Sequence, residues 1–470
     1  MSRKRFHLLS LGCAKNTVDS ESMAQLLAAA GYRAVATPER AEILIVNTCG
    51  FIGPAREESL SVLRELAESK RPAQLLIAAG CLPARIGMAL AEEVPGLDGI
   101  LSTRRWMDIV DLVSKLRDRP RPEPIYDLPQ TGVGSALTPL PPSPEASGEG
   151  GWGGEGDVLR VAVQGTSAYL KIADGCRRPC AFCSIPFIKG TAVSRPPERI
   201  VAEAVRLAEL GMQELILIAQ DTTDYGHDLG LKDGLAQLLE ALVGAVPDVD
   251  WIRIMYAFPG YVTDRLIATM AAHPQIVPYL DMPLQHGHPD TLYRMRRPSN
   301  IDWVHRTLEK MRAALPDLAL RSTFIVGYPG ETEAEFQTLL DFVQSVRFDR
   351  IGAFTFSFEP GTASAVLGDP VPAEVKDERR ERLMALQQRI SLEKNQALVG
   401  RTLKVLIEGH GDGLSVGRSY RDAPEIDGLV IVDGEAPVGE MVPVRVSGAL
   451  AYDLSGTVET APAQVVGAGP

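Results

Sequence analysis

Three apolar segments in the first hundred residues each run straight into a cysteine. They are Phe6-His-Leu-Leu-Ser-Leu-Gly12, Ala41-Glu-Ile-Leu-Ile-Val-Asn-Thr48 and Ala73-Gln-Leu-Leu-Ile-Ala-Ala-Gly80, and Cys13, Cys49 and Cys81 follow them. The cysteines are 36 and 32 residues apart, about one strand–helix unit each, with helical patterns over Asp19 to Ala30 and Pro54 to Ser69 between them. Such alternation predicts a parallel α/β sheet. Successive parallel strands end at one edge, so all three thiols fall at the carboxyl edge, where open α/β sheets hold ligands. Gly12, Gly50 and Gly80 leave room there for a bulky group close to the backbone. The alternative, three small buried hydrophobes, requires a coincidence at three strand ends.

The other half of the chain's six cysteines lies in one loop, Gly175-Cys-Arg-Arg-Pro-Cys-Ala-Phe-Cys183, with Cys176, Cys180 and Cys183 spaced C-x3-C-x2-C. A short strand, Tyr169 to Ala173, delivers the chain to it. A closed zinc site wants four ligands, and the nearest downstream histidine, His227, is far outside the loop. Three thiolates with one open corner suit an iron–sulfur cluster better.

Strand candidates continue at Glu214–Ala219, Trp251–Tyr256, Tyr279–Pro283, Arg321–Val326 and Arg350–Phe356. Helical patterns fall between them at Pro196–Leu210, Leu235–Val246, Thr263–Ala272, Asp302–Ala314 and Glu331–Val346. Six such units predict an open or partial (β/α)6 TIM-like barrel with its site at the carboxyl ends of the strands. Val371 to Leu398 reads as a long charged helix. After Gly400, short β runs at Thr402–Glu408, Gly428–Val432, Met441–Val446 and Thr457 predict a small all-β barrel. A Pro- and Gly-rich stretch, 131–157, with an incidental Trp152, reads as a linker or insertion. The expected organisation is therefore a multidomain α/β chain: a cysteine-edged sheet domain at 1–130, the linker at 131–157, a partial barrel at 158–398 and a β-barrel at 399–470.

No apolar run approaches the ~18 residues that cross a bilayer, so no membrane association is expected. The basic start, Met1 to Cys13, has an apolar part too short for a signal peptide. A reducing cytoplasm follows as the expected location, with the cysteines as ligands rather than disulfides.

With these residues in place, the chain resembles the methylthiotransferases, radical S-adenosylmethionine enzymes with an N-terminal cluster domain and a C-terminal TRAM barrel of OB-like type. The resemblance rests on Leu11-Gly-Cys-Ala-Lys-Asn-Thr-Val-Asp-Ser-Glu21, Asn47-Thr-Cys-Gly-Phe-Ile52, Gly80-Cys81 and the central triplet. It covers nearly all of the chain outside 131–157. It implies two 4Fe-4S clusters, one on Cys176, Cys180 and Cys183, the other on Cys13, Cys49 and Cys81. It also implies S-adenosylmethionine on the open iron of the first cluster, cleaved to a carbon radical. Phe182, Gln220, Asp221 and Thr323 to Gly327 fall where this superfamily contacts S-adenosylmethionine, and Gln285 and His286 fall at the same rim. Each is equally compatible with ordinary packing or loop capping. Arg177, Arg178 and Lys189 are read as tuning the cluster's charge or as solvated loop residues.

One branch of the family modifies an adenosine of transfer RNA, at C2 of N6-isopentenyladenosine; the other modifies the β-carbon of an aspartate in small-subunit ribosomal protein S twelve. Gln220-Asp-Thr-Thr-Asp-Tyr-Gly226, Leu280-Asp-Met-Pro-Leu-Gln-His286 and Gly417-Arg-Ser-Tyr-Arg-Asp-Ala-Pro-Glu-Ile-Asp-Gly428 resemble the second branch. Charge agrees. The chain carries −12 overall, and from Gly400 to Pro470 five bases meet ten acids, a net −5. That is the wrong sign for gripping a phosphate backbone and suits a basic protein. The transfer-RNA enzyme remains the alternative, with a non-catalytic cluster scaffold third. The resemblance further implies an electron donor such as flavodoxin or ferredoxin, and a sulfur donor.

Overall fold

The computed structural model describes residues 4–117, 125–127 and 158–459; the expected linker at 131–157, with Trp152, lies outside the described residues. The N-terminal sheet comprises β1 (Arg5–Ser10), β2 (Arg33–Ala34), β3 (Ile43–Thr48), β4 (Leu75–Gly80), β5 (Gly99–Ser102) and β6 (Ile125–Asp127). All are parallel, in the order β2-β1-β3-β4-β5-β6. Every residue of β3 and β4 is buried, as in a parallel strand covered on both faces. In register, Ser10 lies beside Asn47 and Thr48 beside Gly80. The strand ends are therefore level, and α1 (Ala14–Ala29), α2 (Gly53–Ser69) and α3 (Cys81–Ile86) all leave from one edge. Helix α1 starts at Ala14, five residues before the expected Asp19. Its first turns carry buried Lys15, Asn16, Asp19 and Ser20, polar residues that a hydropathy pattern assigns to a loop.

The central sheet adds β7 (Val161–Gln164), β8 (Ser167–Lys171), then, past a separate antiparallel pair of β9 (Ala173–Asp174) and β10 (Val193–Ser194), β11 (Glu214–Ile218), β12 (Trp251–Ile254), β13 (Ile276–Asp281), β14 (Ala319–Val326) and β15 (Arg350–Thr355). Its order is β15-β14-β13-β12-β11-β8-β7. Six parallel strands form the expected open barrel; β7, unforeseen, pairs antiparallel with β8. Helices pack outside through Leu207, Leu238, Ile267, Leu308 and Leu339 against Leu215, Leu217, Ile252 and Leu320. The inner face is closed by the neighbouring domains: Tyr169, Ile216, Ile218, Met255 and Tyr279 meet Val18 of α1, together with Leu406 and Ala423 from the C-terminal part.

That part is a closed five-stranded barrel of β16 (Thr402–Gly411), β17 (Leu414–Ser419), β18 (Val430–Asp433), β19 (Met441–Ala449) and β20 (Leu454–Val458), ordered β16-β17-β18-β20-β19. Strand β17 was not foreseen. Gly417 within it is required by close packing, since a Cβ there would lie 2.3 Å from the Leu406 carbonyl oxygen. The run from Gly417 to Gly428 is largely an internal lock. Arg418 donates to Glu214 (2.7 Å) and to the Asp422 carbonyl (2.9 Å), Arg421 to Asp349 (2.8 Å), and Arg350 to Asp422 (3.0 Å). All of these side chains are buried. Removing the buried pairs leaves exposed Arg401, Lys404 and Arg445 against Glu408, Asp412, Glu425, Asp433, Glu435, Glu440, Glu459 and half-buried Asp453, so the barrel's outer surface is acidic. Among the described residues, no helix is long and apolar enough to cross a membrane.

Candidate active site

The first cysteine group is built by three strand ends. Cys13 precedes α1, Cys49 follows β3 and Cys81 opens α3. Burial increases along the series: Cys13 is exposed, Cys49 half-buried and Cys81 buried. Gly12, at φ +92°, lies so close that a Cβ would stand 2.8 Å from Cys49 Cβ and 3.1 Å from its Sγ. Asn16 ties the edge together, donating from Nδ2 to the Leu11 and Thr48 carbonyls (2.9 and 3.1 Å), while its Oδ1 lies 3.6 Å from Cys81 Sγ. Asn47 donates to the Asn16 carbonyl (2.8 Å). The loop after Cys49 is clasped by Arg85, which donates to the Gly50 and Phe51 carbonyls (2.7 and 3.0 Å) and pairs with Glu359 of the central domain.

The second group sits on the loop after β9. Gly175, at φ +74°, approaches within 2.0 Å of the Thr191 oxygen when given a Cβ, so only glycine admits the turn. The Cys176 amide donates to the Gly190 carbonyl (3.0 Å). Two donors address the sulfurs: the Arg178 amide, 3.4 Å from Cys176 Sγ, and Arg297 Nη1, 3.5 Å from Cys180 Sγ.

Burial pushes the Cys49 and Cys183 thiols up, Cys176 to about 11 and Cys81 to about 12. Such thiols are poor nucleophiles at neutral pH, and binding a soft cation is what would displace their protons to solvent. A single zinc ion would draw its sulfurs to about 3.8 Å of one another. Among the described residues, the only three-ligand group gathered within 4.8 Å is His288, Asp290 and Glu335, with Glu335 already held by Arg294. Neither cysteine group is gathered within 4.8 Å as a single ion requires.

The remaining sequence-flagged residues divide. Gln285 (φ +76°) and Gln220 each leave a buried Oε1 without a partner at the strand-end rim, as Asp281 does with Oδ2. Asp221 accepts from Arg178 Nε (2.6 Å) and Thr223 (2.5 Å), and Asp224 from Arg177 (2.5 Å), so these acids clamp the cysteine loop. Arg178 is not solvated; its guanidinium lies 3.5 Å over the Tyr261 ring. Phe182 packs with Met295, Tyr328 and Phe356. Thr323 carries Gln285 through a backbone bond of 2.8 Å. Gly327 (φ +70°) lies against Lys376 and donates to Glu331 (3.0 Å), whose carboxylate is 3.2 Å from buried His286.

Sequence reasoning missed the bridge between the two groups. Asp19 of α1 accepts from Arg160 (2.6 Å), Lys171 (2.8 Å) and Lys189 (3.0 Å), all buried. Burial would raise its pKa, but the three cations outweigh that and hold it far below the usual carboxylate range. Lys189 also lies 3.4 Å from Asp174 and is thus paired rather than solvated. The Asp-Ser after Cys13 was visible as a motif; its partners, some 140 to 170 residues distant, were not.

Comparison with known proteins agrees with this architecture. Residues 170–343 match the Radical SAM superfamily, residues 5–102 the uncharacterized protein family UPF0004, and residues 399–458 the TRAM domain. Proteins named ribosomal protein uS12 methylthiotransferase RimO are similar over almost the whole length. The Roseiflexus sp. (strain RS-1) protein is 50% identical, covering 98% of each chain. That of Chloroflexus aurantiacus is 51% identical over 96% of this chain and 99% of its own, and that of Synechocystis sp. 46% identical over 95% and 96%. Among solved structures, the radical S-adenosylmethionine methyltransferase TsrM from Kitasatospora setae, with cobalamin and a [4Fe-4S] cluster bound, shares the fold. Its TM-score is 0.57 at 13% identity, over 88% of this chain and 80% of that one.

Proposed function

The chain belongs to the RimO family of radical S-adenosylmethionine methylthiotransferases, and from that premise we propose that it adds a methylthio group to the β-carbon of an aspartate in ribosomal protein uS12. Cys176, Cys180 and Cys183 would hold a 4Fe-4S cluster with one iron open to S-adenosylmethionine, and Cys13, Cys49 and Cys81 would hold a second. When bound, these groups supply the carbon radical that breaks an unactivated C–H bond and the sulfur that replaces the hydrogen.

The chain's own residues hold, orient and exclude water. Asp221 and Asp224 fix Arg177 and Arg178, and with them the loop that carries the central triplet. Arg297 and the Arg178 amide offer donors to sulfur, a means of tuning a cluster. The partnerless acceptors of Gln220 and Gln285 are available to the amine and hydroxyls of S-adenosylmethionine. Asp19, holding Lys171 and Lys189 across the domain boundary, fixes one triplet against the other. Helix α1 and the C-terminal barrel cap the open inner face and keep water from it.

The observation that carries the substrate choice is the barrel's acidic exterior, three exposed bases among eight acids, which fits a basic ribosomal protein and not an RNA backbone. All six cysteines are committed to the two triplets, so electrons and replacement sulfur come from outside. A flavodoxin or ferredoxin and a sulfur-donating protein fit those needs, in a reducing cytoplasm. The test is anaerobic reconstitution with iron, sulfide, reductant and S-adenosylmethionine, offering a uS12 loop peptide beside a transfer-RNA anticodon stem-loop. Mass gain of one methylthio group on the peptide alone is expected; gain on the RNA and none on the peptide refutes the reading.

A further inference from the structure

Of the lysines buried among the described residues, Lys171 and Lys189 pair with Asp19 and Asp174, and Lys376 with Asp369. Lys15, the second residue of α1, is the exception. Only 9% of it is exposed, yet among the described residues its ammonium makes no hydrogen bond or ion pair. Its close partner is the face of Tyr256, 3.2 Å from Nζ to the ring centroid. A ring face attracts a cation much less strongly than burial penalises it.

Neither nearby carboxylate pairs with it, each being held by another cation. Asp281 is held by Arg321 (2.8 Å), and Asp174 by Lys171 (2.6 Å) and Lys189 (3.4 Å). The Tyr256 platform is itself costly. The residue sits at φ +62°, two residues past the end of β12, a conformation a tyrosine adopts only under constraint. Thr222 supplies that constraint, its amide donating to the Tyr256 carbonyl (3.1 Å) and its hydroxyl lying 3.3 Å away. A strained ring and a largely buried lysine with no carboxylate in ion-pair range thus meet at the rim, two residues from Cys13.

We propose that Lys15 is the receptor for the side-chain carboxylate of the substrate aspartate, aimed by the Tyr256 ring. This rests on the uS12 reading above. The carboxylate is bonded directly to the β-carbon, so anchoring it on a fixed ammonium fixes the carbon to be modified. The incoming carboxylate can bond the ammonium directly, as no described side chain does, and an asparagine or a nucleobase brings no such charge. The competing role is a cation that only balances the Cys13 thiolate.

The test uses the full-length enzyme reconstituted with both clusters and kept without reductant, so that binding is read without turnover. A labelled uS12 loop peptide and its Asp→Asn counterpart are titrated by fluorescence anisotropy against wild type, Lys15→Met and Lys15→Arg, with iron content measured for each. Wild type should prefer the aspartate peptide by at least about tenfold. Lys15→Met should weaken the aspartate peptide by a similar factor and leave the asparagine peptide within about twofold, while Lys15→Arg retains most of the preference. Retention of the preference by iron-replete Lys15→Met, or equal weakening of both peptides, overturns the proposal. Loss of iron from Lys15→Met assigns the cation to the cluster and also overturns it. Wild type that binds neither peptide better than a scrambled one refutes the uS12 reading itself, an outcome distinct from failure of the anchor alone.

Discussion

Replacing Arg418 with methionine should loosen the C-terminal barrel from the central domain. Its guanidinium is buried and donates to Glu214 (2.7 Å), Ser167 (3.0 Å), Glu408 (2.7 Å) and the Asp422 carbonyl (2.9 Å). Burial would raise Glu214, but Arg253 and Arg418 outweigh it and hold the carboxyl at about 2. Relative to an ordinary glutamate near ~4.3, that depression corresponds to about 3 kcal/mol shared by the two arginines. Removing Arg418 forfeits part of this and leaves a buried carboxylate under-compensated, for a loss of about 3 kcal/mol. The sign with pH follows. Glu214's contribution is complete above its unfolded pKa and is lost as pH falls through about 2 in the wild type; in Arg418→Met the contribution is smaller and its loss is complete at higher pH. Hydrogen exchange over Thr402–Gly411, with urea unfolding from pH 3 to 7, measures both effects. A change below about 1 kcal/mol refutes the reasoning. So does a Glu214→Gln, Arg418→Met double variant that is no more stable than the sum of the single changes.

Asp19→Asn leaves Arg160, Lys171 and Lys189 without their shared counter-ion, and should cost about 3 to 5 kcal/mol, read by denaturation and by faster exchange in α1. Gly12→Ala places a methyl against Cys49 at φ +92° and should lower iron incorporation by about half while sparing the central triplet; unchanged iron content contradicts it. Cys13→Ala, Cys49→Ala, Cys81→Ala in combination should likewise lose about half the iron, and full retention would remove the second cluster from the account.

Much of the architecture was legible because apolar strands advertise themselves locally. The runs before Cys13, Cys49 and Cys81 and the six central strands carry enough Val, Ile and Leu to be read without knowing their partners. What escaped was stabilised at a distance. Lys15, Asn16 and Asp19 look like loop residues until Tyr256, Thr48 and Arg160 are brought beside them. The charged run after Gly417 looks like a docking surface, yet Arg418, Arg421 and Asp422 are neutralised by Glu214, Asp349 and Arg350, between 72 and 204 residues away. Strand β17 was obscured by the Gly and Ser that its tight pairing with β16 demands. Within the proposed site, the two cysteine groups stand out by their spacing alone. The clamp of Asp221 and Asp224 on Arg178 could not, since equal numbers of acids and bases in two loops do not reveal who pairs with whom.

The proposed reaction is defined by the hydrogen the enzyme removes. The direct measurement is turnover of a uS12 peptide deuterated only at the β-carbon of the target aspartate, with mass analysis of the 5′-deoxyadenosine released. Deuterium in the 5′-deoxyadenosine, accompanied by a methylthio group on that aspartate, is the predicted result. Unlabelled 5′-deoxyadenosine alongside a modified peptide would contradict it.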